Sequence, residues 1–129
     1  MAKSASERPL AGKGRAVADP IAAIAGYHAH VYFDAATRDR AWTLRETIAK
    51  TFDIPVGRFH ERPVGPHPRW SYQIAFAPER FGTIVPWLML NRAGLTVFIH
   101  PETGDELGDH VERALWLGEM LELHLDALR

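Results

Sequence analysis

Ile24-Ala25-Gly26-Tyr27-His28-Ala29-His30-Val31-Tyr32-Phe33 is the stretch that decides the fold. Its second half alternates strictly, with Ala29, Val31 and Phe33 on one face and His28, His30 and Tyr32 on the other. Such a period describes a strand with one face against a core, and it sets two imidazoles side by side on the opposite face. Downstream, Asp34 is placed to cap a helix running to about Phe52, with Ala41, Leu44, Ile48 and Phe52 as its buried stripe. A second strand is expected over Val56 to Pro63, where Arg58, His60 and Arg62 alternate against Phe59. Pro63-Val64-Gly65-Pro66-His67-Pro68 is too rich in proline for a ladder interior and reads as a stiff connection. Trp70 to Phe76 forms a third strand, with Tyr72, Ile74 and Phe76 sharing a face. Pro78 suits the first turn of a helix that Pro86 kinks or restarts and that Asn91 to Gly94 ends.

A fourth strand follows over Leu95 to His100, with Leu95, Val97 and Ile99 inward, then a turn over Pro101 to Gly104. The pattern predicts a terminal helix from about Glu106 to Leu128, whose first turns gain from Asp105, Glu106, Asp109 and Glu112. That helix carries two apolar stripes. One sheet has room for one of them, so Trp116, Met120 and Leu123 are assigned to a partner chain. The order is β-α-β-β-α-β plus a helix, an α+β, ferredoxin-like βαββαβ antiparallel sheet with an extra C-terminal helix and helices on one face. The crossover rule puts the third strand between the first and second, with the fourth beside the first. The second face of the sheet is then expected to stay open.

Length and composition fit one domain. The chain has 129 residues, 47% of them hydrophobic and 24% charged, with a net charge of -1. That charge balance argues against a broadly basic nucleic-acid binder, and no apolar run reaches the ~18 residues of a bilayer span. Cysteine is absent, so a metal here must be held by His, Asp or Glu. Residues 1–19 carry Lys3, Arg8, Lys13 and Arg15 against Glu7 and the terminal Asp19, with no apolar periodicity and no secretory h-region. They read as a flexible arm before a domain over 20–129, and the chain is expected to be cytoplasmic.

Seven histidines bear on the chemistry. His28 and His30 share the face opposite the core, and strand parity brings His100 to the same face from the neighbouring strand. Three imidazoles converging in this way suit a divalent metal with positions left open for substrate; a half-exposed polar face is the bland alternative. His60 reaches that face from farther away, and His67 is held stiffly between Pro66 and Pro68. His110 and His124 read as surface residues of the terminal helix. Arg58, Arg62, Arg69 and Arg92 are able to receive a carboxylate bidentately or simply to pair with nearby acids. No GxGxxG, P-loop, GxSxG or HExxH motif is present.

Three ordered blocks carry a family likeness. Tyr27-His28-Ala29-His30-Val31-Tyr32-Phe33 is the first, and Gly57-Arg58-Phe59-His60 through Pro63-Val64-Gly65-Pro66-His67-Pro68 the second. Trp87-Leu88-Met89-Leu90-Asn91-Arg92, continuing through Gly94 to Pro101 and on to Thr103-Gly104, is the third. Together they resemble the small DOPA 4,5-dioxygenase family of bacteria and fungi from about Ala25 to Leu125. The resemblance implies a ferredoxin-like homodimer that uses non-haem Fe(II) and O₂ to open a catechol ring beside its hydroxyls. With L-DOPA the product would be a seco-DOPA that cyclises to betalamic acid-type or muscaflavin-type pigments. A metal set of His28, His30 and His100 fits, with His60 and His67 as acid/base residues. Arg58, Arg62, Trp70 and Arg92 complete the expected site as substrate-binding residues. Glu102 and Glu61 are the acids nearest that histidine set in sequence. Two other readings stay open: a related metal-dependent enzyme acting on another catechol, and a non-enzymatic dimeric ligand-binding module.

Overall fold

The computed structural model describes residues 19–129, so most of the expected arm lies outside the described residues. Strand β1 (Gly26–Phe33) leads through a turn to helix α1 (Arg38–Thr51). Asp34 organises that turn: its carboxylate accepts from the amide and hydroxyl of Thr37, and the helix starts at the next residue. Strand β2 (Trp70–Phe76) is followed by a 3-10 turn over Pro78–Arg80 and by helix α2 (Phe81–Asn91), which runs continuously through Pro86. Strand β3 (Thr96–Glu102), helix α3 (Glu106–His110) and strand β4 (Leu115–Leu117) complete the chain before a last 3-10 turn. The sheet is antiparallel in the order β2-β1-β3-β4. This is the α+β, ferredoxin-like arrangement.

The core sits between this sheet and the two long helices. Ala29, Val31 and Phe33 of β1 meet Ile74 and Tyr72 of β2 and Val97 and Ile99 of β3. Ala41, Leu44 and Ile48 of α1 and Phe52 just past its end close over them, with Ile84, Val85 and Leu88 from α2. The stripe read from the α1 sequence is therefore the buried one.

Three expectations are corrected. The second strand over Val56 to Pro63 is reduced to two isolated bridges, Val56 to Ile74 and His60 to Ser71. Between them the Gly57 carbonyl turns away from the sheet and accepts from Arg45 Nε and Nη2 at 3.1 and 2.6 Å, so the ladder is interrupted. The terminal helix ends at His110 rather than near Leu128. The free edge of β3 takes Leu115–Leu117 as a partner strand, and Gly118 just beyond adopts a positive φ of 92° that lies outside the right-handed helical region. Trp116 packs on Phe98 of its own chain, ring centroids 4.4 Å apart, and stays half-buried.

The third correction concerns the second sheet face, which is not open. Tyr32, Phe98 and His100 on that face are buried beneath Trp116, α3 and the connection carrying His67. Helix α3 is pinned there by buried Asp109, which accepts from the Thr103 amide at 2.8 Å, the Thr103 hydroxyl at 2.7 Å and Arg113 at 3.2 Å. Burial pushes the Asp109 carboxyl up, but these donors together hold it below its ordinary value.

Candidate metal centre

The register of β1 against β3 sets His28 directly opposite His100, with His30 one diagonal step along the same face. Among the described residues these three offer ring nitrogens that all lie within 4.8 Å of one another. Nε2 of His30 and Nε2 of His100 are 3.0 Å apart. His100 Nδ1 lies 2.9 Å from the Pro101 carbonyl, an acceptor, so Nδ1 carries the proton and Nε2 keeps its lone pair. Burial pushes His30 well below the usual imidazole range, with charge repulsion from His67, His100 and His28 adding to it. His100 is pushed down to about 4, also by burial first. Both rings are therefore neutral at pH 7, the form that binds a metal.

The donor geometry fits a metal ion. Two nitrogens bound at about 2.1 Å to one ion at right angles would be roughly 3 Å apart. The observed His30–His100 separation matches this, and an ion there would replace the single proton that two facing nitrogens can share. Glu102 stands behind the group, its Oε2 3.3 Å from His100 Nδ1 and 3.4 Å from His28 Nδ1. A carboxylate in that position orients imidazole ligands and raises their basicity. Glu61 is excluded from such a role because it accepts from Arg38 Nε at 2.6 Å.

Beside the triad is a cleft of about 190 Å³ lined by His30, Arg58, His60, His67, Ser71 and Gln73. On its other side, His28 and Glu102 border a groove of about 440 Å³. A larger cavity of about 750 Å³ opens between Ile21, Tyr27, Phe81 and Leu115, and another of about 410 Å³ between α1 and α2. No histidine lines either, so size does not select the site.

The chain therefore gathers His28, His30 and His100 into one group, and Arg58, His60 and His67 into the adjoining cleft. The remaining residues of the expected site lie elsewhere. Trp70 packs edge-on against Phe33 on the helix side of the sheet. Arg92 donates to the Leu95 carbonyl at 2.8 Å, and Arg62 is exposed.

Two residues escaped the sequence reading. His110, read as a surface residue, is buried with its ring centroid 3.9 Å from that of His100, and its Nδ1 donates to the Glu106 carbonyl at 2.8 Å. No sequence signal marked it, because its orientation depends on the early end of α3. Tyr32 shares the parity of His28 and His30, which was legible; its contact with His67, a residue on a distant connection, was not.

The model of the Dopa 4,5-dioxygenase family matches residues 27–127, which include every residue of the triad and the cleft. The chain belongs to the Dopa 4,5-dioxygenase family. A DOPA 4,5-dioxygenase of Amanita muscaria is 34% identical over 108 residues, which cover 77% of this chain and 47% of that protein. A Botryotinia fuckeliana protein described only as an uncharacterized 21.2 kDa protein is 36% identical over 115 residues, covering 80% of this chain and 63% of its own length. The chain thus spans less than two thirds of either curated relative. A crystal structure of a provisionally assigned dioxygenase from Nostoc punctiforme is 51% identical, with a TM-score of 0.85 over 87% of this chain and 97% of that one. The chain thus shares its family with a DOPA 4,5-dioxygenase and its fold with a provisionally assigned dioxygenase. Among the described residues no helix is long and apolar enough to cross a membrane.

Proposed function

We propose that the protein is a non-haem Fe(II) extradiol dioxygenase that opens a catechol ring, with L-DOPA cleaved at the 4,5 bond to seco-DOPA. The observation that carries this reading is the three-imidazole group His28, His30 and His100, set against a histidine- and arginine-lined cleft. In the reaction the ring bond beside a hydroxyl-bearing carbon breaks and both atoms of O₂ enter the product. Bound Fe(II) would supply the common coordination of catechol and O₂, for which three neutral protein ligands leave positions free.

This chain's residues would do the rest. Arg58 is exposed at the cleft and suits the substrate carboxylate. His60 and His67 line the space where a catechol proton must leave and a proton must return during ring opening. His67 is neutral there, since burial first and then repulsion from His110 push it down to about 4. The same reading makes the protein a cytoplasmic homodimer; Met120, which stays largely exposed, is a candidate for the contact.

The test begins with anaerobic reconstitution with Fe(II), followed by L-DOPA and air. O₂ uptake matched by a yellow ring-opened product, and missing in His28→Ala and His100→Ala, is the expected result. Tightly bound iron without turnover of L-DOPA, but with turnover of another carboxylate-bearing catechol, would redirect the substrate assignment. A protein that binds no iron would overturn the reading in favour of a ligand-binding module.

A further inference from the structure

Tyr32 lies on the histidine face two residues beyond His30, with its ring 1% exposed and stacked against Trp116 at 6.0 Å. Its hydroxyl is 2.6 Å from Nδ1 of His67. His67 arrives from a separate part of the chain, and its backbone is anchored twice. Its amide donates to the Val64 carbonyl at 3.0 Å, and the Pro66 carbonyl accepts from the His124 amide of the C-terminal segment at 2.8 Å. So anchored, the ring sits 4.2 Å from that of His30, between centroids, and lines the cleft with His60 and Arg58.

A phenol and an imidazole nitrogen at this distance share one proton in one of two ways. Were His67 Nδ1–H the donor, the Tyr32 O–H would be buried with no second acceptor among the described residues. A buried donor left unpaired is penalised, whereas donation by the hydroxyl satisfies both groups. We propose that Tyr32 is the positioning residue of His67, its hydroxyl donating to Nδ1 and so holding the ring in the Nε2–H tautomer. The proton on Nε2 is then the one the ring offers to a ligand in the cleft.

The consequence for catalysis rests on the ring-cleavage reading above; the tautomer itself does not. With Nε2 protonated, His67 hydrogen-bonds an anionic catechol oxygen. In the other tautomer it would turn a lone pair towards that oxygen and repel it.

The experiment is long-range ¹H–¹⁵N correlation on the full chain with ¹⁵N-labelled histidine, metal-free and loaded with Zn(II). His67→Gln assigns the His67 signals. The expected wild-type spectrum has His67 Nδ1 in the unprotonated position and Nε2 in the protonated one. Tyr32→Phe should mix the two tautomers, while Trp116→Phe, which loosens the same packing but keeps the hydroxyl, should retain the wild-type pattern. With Fe(II) and a cleaved catechol, Tyr32→Phe should lower kcat by about 10- to 100-fold with KM within about twofold, the scale of lost outer partners at such sites. A wild-type His67 protonated on Nδ1, or a tautomer unmoved in Tyr32→Phe, overturns the proposal. The expected spectra in a protein that cleaves no catechol would uphold the tautomer assignment and defeat the ring-cleavage reading instead.

Discussion

The two faces of β1 are buried almost equally and do opposite things. On the helix side, Ala29 and Val31 are fully buried in a cluster held by apolar contact. On the other side His30 is 5% exposed and, across the ladder, His100 is 1% exposed, yet beside Phe98 their neighbours are other imidazoles and a carboxylate. Removing an imidazole from water without a charge partner favours its neutral form. The first face therefore supplies stability that is indifferent to the medium, while the second carries stability that depends on pH and on metal. A pair of tyrosines on opposite faces of neighbouring strands makes the same point: Tyr32 Oη is partnered by His67, whereas buried Tyr72 Oη has no partner among the described residues.

The sharpest way to break this contrast is to remove a donor from the histidine face. His100→Ala should lower metal affinity by more than ~100-fold, beyond the range seen for outer-shell partners, while the fold persists; metal per chain and circular dichroism together check it. Retained stoichiometric metal would remove His100 from the ligand set. On the helix face, Ile74→Ala should cost about 2–5 kcal/mol in urea unfolding yet leave the metal stoichiometry of the folded protein unchanged. Loss of metal in the folded variant would show that the faces are not separable.

The medium should then tell them apart. His67 and His100 are held down to about 4 from an ordinary value of 6.5. As pH falls the unfolded chain binds protons first, so their contribution is complete above the unfolded value and is lost as pH drops towards 4. At roughly 1.4 kcal/mol per pKa unit the loss in metal-free protein is on the order of a few kcal/mol for each of the two residues. Urea midpoints measured between about pH 7 and pH 4 should show it, and a flat profile would mean that these imidazoles are not desolvated as described. The smallest expected effect is at Tyr72, where Tyr72→Phe should raise stability by about 1 kcal/mol by removing an unpartnered hydroxyl. A destabilised variant would reveal that the hydroxyl has a partner after all.

Much of this architecture was legible without coordinates, because it rests on short-range periodicity. Alternation through Ala29, Val31 and Phe33 identified the core face, and the α1 stripe followed from helical spacing. The strand order followed from handedness and connection rules, and with it the meeting of His28 and His100. What failed was decided by competition between distant partners. Arg45 captures the Gly57 carbonyl and interrupts a strand whose side-chain pattern is sound. The β3 edge captures Leu115–Leu117 from a segment with helical spacing.

By itself, then, the amino-acid sequence determined the fold class, the two faces of β1, the family and the histidines able to meet on one of those faces. Local pattern and connectivity suffice for these, since side-chain direction alternates by one residue along a strand regardless of context. Only the tertiary structure decided that the histidine face is covered, that His110 lies against His100 and that Tyr32 meets His67. Each of those contacts joins side chains from different elements, and neither strand alternation nor helical spacing says how such elements will meet.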